Sequence, residues 1–236
     1  MNIGTGTALI DGFACGQSAA VLWGIPLIER PDVIHVATPT RLHQPAPDGI
    51  QHHRIELKPW EVTTHLGVPV TTVVRTLRDL AAWTPRTSFA VASWDGALRK
   101  NRVRPHELER LARSAWGAWA GRVHRVWLLT DGRAESVVES VARVELVLRG
   151  TPVEPQFRLR RGGHRYDLKV LDSAVLIECQ SKAFHGEREL AADCRWDNEA
   201  IAAKHVVAKV LFAEAIYEPD VFARRIESLK RMWPEV

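Results

Sequence analysis

The spacing of apolar positions divides this chain into three stretches. Residues 5–23 place Leu9, Ile10, Phe13, Ala14, Ala19, Ala20 and Leu22 at helical intervals and stop at Gly24 before Pro26, which predicts one helix. Val33–Val36 reads as a short strand and Pro39–Asp48 as a loop or wide turn, with further short strands over Ile50–Leu57 and Gly67–Thr72. Together these predict a small helix-plus-sheet region. From Thr71 to about Arg149 the period becomes helical, through Val73–Trp83, Phe89–Leu98, His106–Ala115, Val123–Leu129 and Glu135–Leu148. Between Ala97 and Leu108 the pattern is helix, turn and helix, with Pro105 suited to a first helical turn. The basic residues of that turn, Arg99, Lys100, Arg102 and Arg104, can touch phosphate or can simply form a solvated face between two packed helices.

The rear of the chain changes to shorter alternation. Val153–Arg160 and Arg165–Leu171 read as two strands joined by a tight turn at Arg161-Gly162-Gly163-His164. Asp172-Ser173 turns the chain into Ala174–Ser181, whose apolar run Ala174-Val175-Leu176-Ile177 predicts a strand covered on both faces. A helix over Gly186–Lys204, a strand over His205–Phe212 and an amphipathic helix over Pro219–Met232 complete the pattern. The expected fold class is α/β. An α+β front region spans 1–133, and a mixed α/β sheet flanked by helices spans 134–236.

Composition narrows the function classes. Hydrophobic residues make up 46% and charged residues 25% of 236 positions, as in a globular protein with a real core. The three cysteines, Cys15, Cys179 and Cys194, are far apart and form no zinc-finger spacing, which fits a reduced, cytoplasmic protein. No apolar stretch reaches the roughly 20 residues of a membrane span, and no export signal is visible, so no membrane partner is expected. The net charge of +4 is unevenly placed. Residues 1–133 carry 16 Lys+Arg against 11 Asp+Glu, and residues 134–236 carry 16 against 17. A basic front and a rear with clustered acids suit nucleic-acid docking in front and a metal site behind, although uneven surface charge also occurs without a partner.

The candidate chemistry lies in the rear half. Asp167 and Glu178 fall on consecutive strands, so the two carboxylates can meet, and like charges brought together call for a proton or a cation. In a regular strand Glu178, Gln180 and Lys182 share one face while Ile177 and Cys179 point to the other. Oxygen ligands at a sheet edge suit Mg²⁺, or Mn²⁺, which can lower the pKa of a bound water and polarise a phosphoryl oxygen. Gln180 can complete the ligand shell or orient water, and Lys182 can screen developing charge. His185 can act as general base or acid near neutral pH. Glu135 and Glu139 lie four residues apart on the predicted helix; Glu139 can join the metal, or both can simply stabilise a helix N-terminus. Arg158, Arg160, Arg161 and Arg165 surround the hairpin and can bind phosphate, though basic hairpin tips also serve solubility. Trp196 and the other tryptophans read as core rather than as base-stacking platforms.

These residues carry a resemblance. Arg165-Tyr166-Asp167-Leu168, then Val175 to Gly186 with Ile177-Glu178-Cys179-Gln180, and Asp193-Cys194-Arg195 resemble a group of actinobacterial two-domain proteins. Their rear domain is similar to the very-short-patch-repair endonucleases of the PD-(D/E)XK superfamily, which implies a restriction-endonuclease-like fold. Ala134 to Ser140 resembles that group's helix, whose second Glu falls at Glu139. The resemblance implies Asp167 as the main metal ligand, Glu139 and Glu178 as supporting acids and His185 as the active-site histidine. The group usually has Asp where this chain has Gln180, and the wider superfamily includes active enzymes with Glu-x-Gln. In front, Ser18 to Gly24, Gly67 to Thr72 and Arg75-Thr76-Leu77-Arg78-Asp79-Leu80-Ala81 resemble antitoxins of the AbiEi type. The winged helix that usually opens such antitoxins is expected to lack most of its first half, so direct base reading is not expected. Two functions follow as expectations. The first is a metal-dependent endonuclease acting on DNA, with RNA an open alternative and a homodimer compatible with cutting two strands. The second is a DNA-binding antitoxin or transcriptional regulator whose nuclease fold has lost its chemistry, a loss that Gln180 favours.

Overall fold

The computed structural model describes residues 2–180 and 187–235, the side chains of 187–193 excepted. They form two compact units, Met1–Gly132 and Arg133–Val236.

The front unit begins with α1 (Ile3–Leu9), β1 (Phe13–Ala14) and α2 (Gly16–Trp23). The single helix expected over 5–23 is therefore broken. Asp11 and Gly16 take left-handed conformations, with φ of 46° and 50°, and between them Phe13 and Ala14 extend to pair with Ala37 and Val36. Gly12 has no room for a side chain, since a Cβ there would lie 2.6 Å from Val36 Cγ1 and 2.8 Å from the Ala37 carbonyl. The expected stop at Gly24 is real: its φ is 64° and its N–H reaches back to Ala20 and Val21.

Strands β2 (Ile34–Thr38), β3 (Ile50–Arg54), β4 (Val62–His65) and β5 (Val68–Thr71) join β1 in the order β3-β2-β1-β5-β4. β4 escapes a pattern-based reading because it is an edge strand of Val-Thr-Thr-His with no buried residue. Four helices follow: α3 (Val73–Trp83), α4 (Thr87–Arg99), α5 (Pro105–Ser114) and α6 (Ala120–Leu129). Pro105 opens α5 as its spacing predicts. Leu77, Trp94, Leu108 and Val126 have no exposed surface, and Trp94 Nε1 donates to the Leu77 carbonyl at 3.0 Å. The expectation that the tryptophans are core holds for Trp94 and fails for Trp60 and Trp116, which are 76% and 80% exposed.

The rear unit runs α7 (Val137–Leu148), β6 (Val153–Arg158), β7 (Arg165–Val170), β8 (Val175–Gln180), α8 (Glu187–Ala202), β9 (Val206–Leu211), α9 (Phe212–Tyr217) and α10 (Pro219–Met232). The sheet order is β6-β7-β8-β9, antiparallel except for the β8–β9 pair, which is parallel. α7 starts after Glu135 because Ser136 caps it, accepting the Glu139 N–H at 3.2 Å. On one face of the sheet Leu168, Val170, Val175 and Ile177 pack with Val138 and Leu146 of α7 and Phe222 and Ile226 of α10. On the other, Leu176 packs with Tyr166 and Ala200. β8 is thus covered on both faces, as its apolar run requires. No helix among the described residues is long and apolar enough to cross a membrane.

Candidate functional site

β7 and β8 pair at Leu168–Ile177 and Lys169–Leu176. One step further along that register, Asp167 stands opposite Glu178. The ladder is replaced there by a side chain: Asp167 Oδ2 accepts the Cys179 N–H at 2.7 Å. On its other side Asp167 also lacks a paired neighbour. Pro155 pairs with Leu168 and Phe157 with Tyr166, but Gln156 between them has a φ of 61° and stands out of the ladder. Such an irregularity re-aims side chains locally.

Three acids gather around this point. Glu139 comes from the buried first turn of α7, and its Oε2 accepts the Glu135 N–H and the Gln156 amide, both at 2.8 Å. Gln156 Oε1 is buried and has no hydrogen-bond partner among the described residues. Glu178 follows Leu176 toward the α8 layer, where its Oε1 lies 2.6 Å from His164 Nε2. His164 is held by rings, stacked on Trp196 with centroids 4.8 Å apart and meeting Tyr166 edge-on at 4.8 Å. Burial, then the charges of Glu139 and Glu178, push the Asp167 carboxyl up to about 7, while the Cys179 N–H pulls it down. The Cys179 thiol is raised well above its ordinary value by burial and then by Asp167, Glu139 and Glu178.

The structure therefore brings Asp167, Glu139 and Glu178 into one electrostatic cluster, with Gln180 half-buried at the end of β8. Lys182 and His185 lie outside the described residues. Among the described residues, no three His, Cys, Asp or Glu side chains form a group that could hold a metal ion. The hairpin arginines are largely engaged within the unit. Arg158 donates to the Gly163 carbonyl, Arg160 pairs with Glu199 at 2.5 Å and Arg165 pairs with Glu135, while Arg161 is exposed. Sequence reasoning missed Gln156 and the His164–Glu178 contact. A glutamine in mid-strand was the available signal for the first, and none existed for the second, which depends on the hairpin folding back.

The front unit offers a basic surface. Arg99, Lys100, Arg102 and Arg104 are all exposed around the α4–α5 turn, which Asn101 closes with a φ of 53°. Lys100 Nζ donates to the Gly24 carbonyl at 2.9 Å. α5 extends the surface with His106, Arg110 and Arg113 beside a cavity of about 400 Å³, although Glu109 pairs with Arg113 at 2.7 Å. Exposed cations in such a cluster can contact phosphate oxygens or simply form a solvated face.

The AbiEi antitoxin C-terminal domain matches residues 13–129. Two uncharacterized proteins of Mycobacterium tuberculosis, from strains CDC 1551 / Oshkosh and ATCC 25618 / H37Rv, are each 31% identical to this chain over 192 residues. That covers 78% of this chain and 68% of each relative. No solved structure matches significantly. The chain belongs to one family with these mycobacterial proteins and carries an AbiEi-antitoxin-like domain over residues 13–129.

Proposed function

We propose that this protein is a DNA-binding regulator of the antitoxin type, whose front unit docks on the phosphate backbone. The observation that carries the reading is the antitoxin domain match over residues 13–129. The excess of 16 basic over 11 acidic residues in positions 1–133 and the exposed turn at Arg99–Arg104 support it. Each Lys or Arg that neutralises a phosphate releases condensed counterions, so such a surface binds duplex DNA largely without regard to sequence. Replacing Arg99, Lys100, Arg102 and Arg104 together by alanine weakens binding to a labelled duplex at least ~10-fold in a fluorescence anisotropy titration. Unchanged affinity in that variant, or a wild type that ignores DNA, overturns the reading.

A second reading, a metal-dependent endonuclease, draws on one observation: Asp167, raised to about 7, sits among Glu139 and Glu178. The succession of helix, three antiparallel strands, helix and parallel strand is compatible with the restriction-endonuclease-like fold that the resemblance implies. The donor chemistry fits a hard cation, because carboxylates and the unpartnered Gln156 oxygen are its preferred ligands. The resemblance assigns Mg²⁺ or Mn²⁺ to Asp167, Glu139 and Glu178; these three do not form a ready-made ligand group, so a cation would have to draw them together before it could supply a water of lowered pKa. The residues' own contribution is to place negative charge where burial makes it unfavourable, so that a cation competes with a proton. On this reading wild type nicks plasmid DNA in Mn²⁺ and Asp167→Ala does not. An inactive wild type, or an equally active variant, leaves the regulator reading alone.

A further inference from the structure

The turn between α5 and α6 sets exposed aromatic rings beside cations. In Trp116-Gly117-Ala118-Trp119 the two tryptophans are 80% and 48% exposed. The Ala120 N–H closes the turn by donating to the Gly117 carbonyl at 3.1 Å, and Gly117 supplies its left-handed residue with a φ of 79°. The surroundings are open, since a Cβ at Gly117 or Gly121 would meet no atom within 4 Å. Among the described residues no aromatic ring stacks on either indole.

The charge around the turn has one sign. Residues 99–125 carry eight Lys+Arg against two Asp+Glu, and both acids are engaged. Glu107 Oε2 accepts the Arg104 N–H at 2.8 Å, and Glu109 pairs with Arg113 at 2.7 Å, a solvent-exposed contact of little strength. Arg110 is exposed and has no ion-pair partner among the described residues. Arg110 and Arg113 line the cavity of about 400 Å³ on α5, whose last lining residue, Ser114, precedes Trp116 by two positions. Three residues span at most about 11 Å, so Arg113 and Trp116 can engage neighbouring nucleotides of one strand.

The composition of the surface selects its occupant. Between Arg104 and Arg125 the two indoles are the only large apolar side chains exposed among the described residues. A protein partner is met by a contiguous apolar centre, whereas isolated flat rings among cations suit a ligand of flat apolar faces joined by anionic links. In a duplex those faces are covered by the adjacent bases, so an indole can stack only on an unpaired one. The geometry points to single-stranded nucleic acid as the ligand of this surface, with an unpaired base stacked on Trp116 and phosphates held by Arg110 and Arg113. The inference rests on the nucleic-acid reading of the front unit and adds to it the kind of strand that α5 and its following turn take.

Fluorescence anisotropy of the full chain with labelled thymidine and uridine oligonucleotides of about 15 nucleotides, and with a duplex, tests this for wild type, Trp116→Ala, Trp116→Phe and Trp60→Ala. Trp60 is the control: it is 76% exposed, but residues 56–61 around it carry one basic side chain against two acidic. Wild type binds an oligonucleotide, and Trp116→Ala weakens that binding at least ~10-fold while leaving duplex affinity and thermal unfolding unchanged. Trp116→Phe recovers part of the affinity, because a smaller ring still stacks, and Trp60→Ala binds as wild type does. Preference for the thymidine or the uridine strand assigns the surface to DNA or RNA. A wild type that binds the duplex and neither oligonucleotide overturns this inference and leaves the docking reading standing, whereas one that binds no nucleic acid overturns both. Equal oligonucleotide affinity in Trp116→Ala and wild type, or an equal loss in Trp60→Ala, also overturns it. Self-association in analytical ultracentrifugation that Trp116→Ala abolishes, without oligonucleotide binding, gives the surface to a second copy instead.

Discussion

An Arg75→Leu variant is less stable than wild type by about 3–5 kcal/mol at pH 8, the cost of leaving one member of a buried ion pair without the other. Arg75 and Asp79 are 5% and 3% exposed, and Arg75 Nε lies 2.8 Å from Asp79 Oδ1 one helical turn along α3. Arg75 also pairs with Glu61 at 3.0 Å, which ties α3 to the chain ahead of β4. Asp79 is pushed up to about 6 because burial outweighs the pull of Arg75, and its Oδ2 has no hydrogen-bond partner among the described residues. The sign of the pH effect follows. A carboxyl raised from 3.8 to about 6 stabilises the fold most below pH 3.8 and loses that contribution as pH rises through 6. Without Arg75 the ionised form becomes costlier still, while the protonated form is little affected. The deficit of Arg75→Leu in urea unfolding is therefore larger at pH 8 than at pH 4.5, and equal deficits at both would show that the charge on Asp79 is not the cause.

The second large effect has the opposite sign. Asp167→Asn stabilises the rear unit at pH 8 by about 1–3 kcal/mol, a range that discounts the full linkage value because the residue is partly exposed. The amide keeps an acceptor for the Cys179 N–H and removes a charge that Glu139 and Glu178 repel. Since Asp167 titrates near 7 in the fold against an ordinary 3.8, wild type holds the full benefit of its proton only below pH 3.8. That benefit is lost as pH rises through 7. The advantage of the variant accordingly grows between pH 5 and 8 and vanishes toward pH 4, as read by thermal unfolding across that range. A variant no more stable than wild type at pH 8 would mean that the three acids do not repel one another as described.

How much of this was legible depends on where the determining contacts lie in the chain. α3 and α10 run over the residues their apolar spacing indicates, because each buries a continuous stripe and ends at a local signal. The run Val175-Leu176-Ile177 announces a strand covered on both sides for the same reason. The break between α1 and α2 was not legible, because the apolar spacing continues through Asp11 and Gly16 while their left-handed backbone is imposed by the pairing of Phe13 and Ala14 with β2. At the acidic cluster, the short turn at Asp172-Ser173 suffices to set Asp167 near Glu178. Glu139 arrives only through the packing of α7 on the sheet, and His164 only through the folded hairpin.

On the proposed reading the front unit meets DNA through its phosphates. The most direct test is the affinity of the full chain for a duplex between about 50 and 200 mM salt. The expected result is a linear fall of log K with log salt, at about 0.9 per phosphate contacted, and a shallower slope when Arg99, Lys100, Arg102 and Arg104 are replaced by alanine. An affinity that does not respond to salt, or a slope the four substitutions leave unchanged, would contradict it.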